Sequence, residues 1–164
     1  MYKLIKPEWL RFSKGIQALC ARPYYGHPHG CPNYGKRPEC PPNAPLIDKV
    51  LDLEREIFVI YTPFEVGEFA EHIWENHPGW NNRQIYNPRY WQPCARKLHR
   101  MDVANDVEEL GIEIVTGNAE GQGVNYSFLM KNMGIELSWV WPPEHSLDNI
   151  TYRISLAGFS PKSL

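Results

Sequence analysis

The stretch Cys20–Asn43, CARPYYGHPHGCPNYGKRPECPPN, carries the apolar period of neither a helix nor a strand. It holds three of the chain's four cysteines, Cys20, Cys31 and Cys40, together with His27, His29 and the rings of Tyr24, Tyr25 and Tyr34. A run this long without periodicity is uncommon inside a compact domain unless it is functional or held by something other than a ladder of hydrogen bonds. The expectation is that a metal centre holds it.

Working outward, the flanks read as an ordinary folded body. Pro7 to Leu19 predicts an opening helix, with Pro7 in its first turn and Trp9, Leu10, Phe12, Ile16 and Leu19 as its apolar face. Asn43 is a suitable N-cap for a helix from Ala44 or Pro45 to Glu54. Glu56 to Tyr61, EIFVIY, predicts a strand buried on both faces. Glu65 to Asn76 predicts a helix, residues 79–93 have no period, and Cys94 to Leu110 predicts the longest helix, with Gly111 at its C-cap. A strand over 112–115, a turn over 116–123 and a helix over 126–132 capped by Asn125 follow. Strands over 135–141 and 150–157, joined by 142–146, complete the pattern. The alternation predicts one compact domain spanning 1–164, α/β or α+β, with a small mixed sheet flanked by helices and the irregular cysteine loop near the N-terminus.

Composition narrows the setting. The chain has 164 residues, 43% hydrophobic and 22% charged, with a net charge of −2. That suits one buried core and supplies no global field for nucleic acid or anionic membrane. The opening residues lack the apolar run of a signal peptide, and no stretch approaches the roughly 18 to 20 apolar residues of a spanning helix. A cytoplasmic protein without membrane contact is expected. In a reducing compartment, cysteines serve metal or redox chemistry more often than structural disulfides.

The spacings are C-x10-C, C-x8-C and then 53 residues to Cys94. None matches the C-x2-C pair of a zinc ribbon or the close run of a small ferredoxin. Local chemistry says more than spacing. Pro32 and Pro41 stiffen the chain just after Cys31 and Cys40, and Gly26, Gly30 and Gly35 permit tight turns. Cys94 sits at a predicted helix start, where the dipole favours a thiolate. Cys20, Cys31, Cys40 and Cys94 could thus ligate an iron–sulfur cluster or a tetrahedral zinc ion, both suited to soft sulfur. Small apolar core residues are the alternative. His27 or His29 could replace a cysteine, or be ordinary loop histidines; His99 could act as an acid near the centre, or be a surface residue.

At CPNYGKRPECPP, residues 31–42, the chain resembles an uncharacterised bacterial and archaeal family described as predicted metal-binding proteins, which carries a C-P-N-Y-G-K segment followed by C-P-P. Cys20 lies where that family tends to have a further cysteine. Cys94 with GIEIV, residues 111–115, resembles its later cysteine, whose helix leads into a Gly-Ile-acidic segment. The likeness covers residues 18–133 loosely. The family's additional cysteines before the later one have no counterpart in NNRQIYNPRYWQP, residues 81–93. The resemblance implies metal binding, of iron–sulfur type, and names no reaction.

Four thiolates would close a cluster and suit electron transfer or structure, whereas Lewis-acid or sulfur-accepting iron needs an open position. Cys94 could be the fourth ligand or a free nucleophile. Arg83, Arg89, Arg96, Lys97 and Arg100 alternate with Trp80, Tyr86, Tyr90 and Trp91, a mixture that could hold phosphate and stack a base or could be a solvated helix face. TGNAEGQG, residues 116–123, lacks the lysine of a phosphate-binding loop. The expected function is an iron–sulfur protein, of [4Fe-4S] type, in redox or sulfur-transfer chemistry with a redox protein partner. The alternative is a zinc-stapled module contacting RNA, a nucleotide or a protein.

Overall fold

A computed structural model describes residues 1–24, 26–137 and 150–162. Four strands form one sheet: β1 (Tyr2–Leu4), β2 (Phe58–Glu65), β3 (Ile114–Thr116) and β4 (Ile150–Gly158), in the order β1-β2-β4-β3. Every described pair is antiparallel, so of the two expected classes the domain is α+β, and the sheet is antiparallel where a mixed one was expected. The long central pair runs in register from Phe58 opposite Ala157 to Glu65 opposite Ile150.

The side-chain alternation of β2 and β4 gives the sheet two buried faces. On one, Val59 and Leu156 pack with Ile5, Ile47, Leu51, Val124, Leu129 and Met130. Leu129 and Met130 belong to α5 (Tyr126–Asn132), whose first turn is capped as expected: the Asn125 side chain accepts from the Phe128 N–H. On the other face, Phe58, Ile60 and Ala157 meet Val103, Val107 and Leu110. Those three lie on α4 (Pro88–Leu110), which ends at Gly111 in the left-handed conformation. Further along the same face Phe64 packs with Trp91 and Ala95 of α4 and with Val66 of α2 (Val66–Asn76).

Several expected elements differ for identifiable reasons. Pro7–Leu19 is not one helix: a 3-10 turn at Pro7–Trp9 is followed by α1 (Lys14–Gln17) and a second 3-10 turn at Ala18–Ala21. Between them Ser13 is extended and donates its N–H to Gly123, which takes the chain away from a continuing helix. The helix expected over 44–54 is a 3-10 turn at Ile47–Lys49, because the Ile47 N–H goes to the Gln122 carbonyl. α4 starts six residues early, at Pro88, since Asn87 caps the Arg89 N–H and proline suits a first helical position. A short α3 (Asn82–Ile85) forms in the supposedly irregular region, closed by a reciprocal Asn81–Gln84 capping box. Ile135–Leu137 is not strand, and the remainder of the strand expected to 141, with its connection over 142–146, lies outside the described residues, as does Tyr25. Among the described residues no helix is long and apolar enough to cross a membrane.

A polar layer joins α4 to the sheet. His99 is buried among Thr62 of β2 and Ser155 of β4, with Nδ1 2.9 Å from Thr62 Oγ1 and Nε2 2.8 Å from Ser155 Oγ. Thr62 donates its own proton to Asp102 at 2.5 Å. With that proton committed, Nδ1–H donates to Thr62, and in the neutral ring that burial favours Nε2 accepts from Ser155. The expected surface histidine is therefore a core strut. Burial chiefly, with the charges of Arg153 and the Met1 amine, lowers its pKa; Asp102 and Asp106 act the other way.

The sign of the pH effect follows. The unfolded chain takes up this proton below an ordinary histidine pKa of about 6.5, while the folded chain resists it. His99 therefore stabilises the fold fully above that pH and progressively less as the pH falls toward its folded pKa, with a slope of at most about 1.4 kcal/mol per pH unit. Urea melts between pH 7 and pH 5 are expected to show this slope. His99→Gln should flatten it; an unchanged slope would remove the assignment.

Candidate metal centre

The cysteine loop is pinned to the first of the two faces by buried polar contacts. Gln17 is 8% exposed, and its Nε2 donates to the carbonyls of Ala44 at 2.7 Å and Gly121 at 2.9 Å. One side chain thus ties the start of the loop to its end and to the 117–123 segment. The Asn118 side-chain amide donates to the Glu39 carbonyl beside Cys40. Sequence reading passed over Gln17; its only signal was a polar residue at an otherwise helical inward position. Gln17→Leu would orphan two buried carbonyls, each costing about 1–3 kcal/mol. A drop in unfolding free energy of about 2–4 kcal/mol by denaturant titration is expected, and a neutral variant would show that the loop is held elsewhere.

Inside the loop the backbone brings the first two cysteines side by side. The Cys31 N–H donates to the Cys20 carbonyl at 2.8 Å. Gly30 makes this approach geometrically accessible: its φ is +80°, and a Cβ there would lie 2.7 Å from the carbonyl carbon and oxygen of Ala21. Cys40 arrives on a turn of its own. Its N–H donates to Arg37, and its carbonyl accepts from Asn43 and Ala44. Asn43 is thereby spent closing this turn rather than capping a helix.

All four thiols are free; Cys20, Cys31 and Cys40 are half-buried and Cys94 is exposed. Cys31 and Cys40 both lie within electrostatic reach of Cys20. Burial first, then negative charge on Cys31, Glu120 and Cys40, pushes the Cys20 thiol above its ordinary value. Tyr24 is raised by burial and by the charges of Cys31 and Cys20, and the His27 ring lies against it at 4.6 Å. Glu120 was not singled out from sequence. Its side chain still reaches solvent, yet the protein packed around its carboxyl raises its pKa through desolvation. His29 is exposed at the rim.

Cys94 is not brought to this group. It lies on α4, which packs on the opposite face of the sheet, and its thiol donates to the Tyr90 carbonyl at 3.8 Å. Nor do the three loop thiols meet at a point: among the described residues no three Cys, His, Asp or Glu side chains form a ready-made ligand group. The chain matches no protein-family model, no curated protein and no solved structure. The site is read from its own chemistry. Three free, half-buried thiols on one loop, with the Glu120 carboxyl of the adjoining 117–123 segment, put negative charge around Cys20 when ionised, and a cation would relieve that repulsion. The donor set suits a soft metal; its spacing requires the loop to draw in around one.

Proposed function

We propose that the chain binds an iron–sulfur cluster, of [4Fe-4S] type, through Cys20, Cys31 and Cys40, and that Cys94 stays outside the centre. The carrying observation is the folding of three free thiols onto one loop: the Cys31 N–H donates to the Cys20 carbonyl, Gln17 holds the loop's ends together, and the charges of Cys31 and Cys40 reach Cys20. Bound in this way, a cluster would supply one-electron exchange or a Lewis-acidic iron, and three protein thiolates leave one iron without a cysteine.

The chain's own residues would then divide the work. Gly30 and the Cys31-to-Cys20 hydrogen bond set the spacing of two ligands. Tyr24, with the His27 ring against it, stands close enough to Cys20 and Cys31 to feel their charge. Glu120, whose carboxyl keeps its proton to higher pH than usual, stands beside Cys20 as a group able to hold or release a proton at the open side. Sulfur-transfer chemistry would use such an open side, whereas electron transfer alone would not require it.

Glu120 also supports a second reading. A carboxylate oxygen near Cys20, added to the loop's three thiols, suits zinc, which would make the loop a metal-stapled binding module. Anaerobic purification separates the two. A brown protein with broad absorbance near about 400 nm and several irons per chain is expected for the cluster. A colourless protein with stoichiometric zinc would select the staple, and a metal-free protein would end both readings.

A further inference from the structure

The outward side of α4 carries two parallel stripes that the metal centre does not use. At 3.6 residues per turn, Arg89, Arg96 and Arg100 fall on one line, and Tyr90, Cys94, Leu98 and Met101 fall on the next, with Lys97 on the Tyr90 side between them. All eight are exposed, Tyr90 by 41% and Met101 by 55%. Among the described residues none of these four cations has a carboxylate within ion-pair distance. Their line is about 16 Å long at 1.5 Å per residue.

The apolar stripe begins in a ladder of rings. Trp80 lies 5.4 Å from Tyr90, and His77 stacks on Trp80 at 4.1 Å with the planes 12° apart. The two other aromatics of this region are turned inward: Trp91 is buried against Phe64, and Tyr86 packs with the same cluster. What remains outside is a ring platform beside a row of guanidinium groups.

We propose that this face binds single-stranded nucleic acid, phosphates lying along Arg89, Arg96 and Arg100 and a base stacking on Tyr90 at the end of the Trp80 ladder. Charge complementarity fixes the occupant, since a polyanion matches the arginine line and a π-face matches the exposed ring. A base-paired duplex keeps its bases inside and cannot use the platform. The exposed carboxylates Glu68, Glu71 and Glu75 of α2, a helix that shares the Phe64–Trp91 cluster with α4, are expected to make the binding modest and salt-sensitive.

Fluorescence anisotropy of the full chain with labelled 12-mer single strands of RNA and of DNA, and with the matching duplexes, tests this. Binding at low salt is expected, with log K falling against log salt with a slope of about −2 to −3, as three or four phosphate contacts on a single strand give. Tyr90→Ala should weaken binding at least about fivefold without changing that slope. Arg89→Ala with Arg100→Ala should make the slope shallower. The RNA and DNA arms decide which strand is preferred. No binding at low salt, duplex bound as tightly as single strand, or full binding by both variants with an unchanged far-ultraviolet spectrum would overturn the proposal.

Discussion

Replacing Cys20, Cys31 or Cys40 with serine is expected to cut the metal content of anaerobically purified protein by about tenfold or more, while Cys94→Ser leaves it unchanged. Serine keeps the size and removes the soft donor, so the loop backbone survives and only coordination is tested. Metal binding to a loop that is not preassembled is coupled to its ordering, so stability should follow occupancy. A metal present at a thousand times its dissociation constant adds about 4 kcal/mol. The three loop variants should therefore melt where the chelated wild type melts, and Cys94→Ser should melt with the loaded wild type. If all four behaved alike, α4 would have to reach the loop, and the separation of the two faces by the sheet would be wrong. If none lost metal, the centre would lie elsewhere.

The second large effect is expected at Gly30. A Cβ there enters space already occupied by Ala21 backbone, 2.7 Å away, and places a side chain at φ +80°. The left-handed backbone alone costs roughly 1–2 kcal/mol in a residue other than glycine. The collision cannot be relieved by rotating a side chain, because the neighbour is main chain. Gly30→Ala is expected to lose about 2–4 kcal/mol in a urea titration and to weaken metal binding with it. Gly35 supplies the control. Its φ is +71°, but no atom lies within 4 Å of the added Cβ. Gly35→Ala should show the backbone cost alone, about 1–2 kcal/mol. Equal losses at both positions would mean that the close approach of residues 20 and 31 contributes nothing.

The body of the fold was legible wherever local signals and tertiary packing agree. The run at Phe58–Ile60 is buried on both faces of β2 as its β-branched and aromatic composition implies, and Asn125 and Gly111 cap the helices they flank. The helices expected over 7–19 and 44–54 fail for one cause: backbone groups taken by distant partners. The N–H of Ser13 goes to Gly123 and that of Ile47 to Gln122. No window of sequence contains such pairs. β1 was missed for the same reason, since Tyr2–Leu4 is too short to have a period and exists through its pairing with Phe58–Ile60.

At the candidate centre, residue type carried the reading and distance was hidden from it. Cys20, Cys31 and Cys40 share one loop, so proximity in sequence became proximity in space. Cys94 is the fourth cysteine, and a helix start there would favour its thiolate; with α4 beginning at Pro88 it lies one and a half turns in, among exposed Tyr90, Leu98 and Met101. Its lost role as a helix-start thiolate and its place across the sheet go together. Gln17 and Glu120 were invisible for the opposite reason: neither belongs to any motif, and each matters only for what the fold sets beside it.

X-ray absorption fine structure at the metal edge, on the anaerobically purified chain, tests the central claim most directly. The predicted result is iron with a sulfur shell near about 2.3 Å, as thiolate ligation gives, together with an iron–iron shell, both lost in the Cys31→Ser protein. A first shell of nitrogen and oxygen alone, or a sulfur shell that survives Cys31→Ser, would contradict a centre built by Cys20, Cys31 and Cys40.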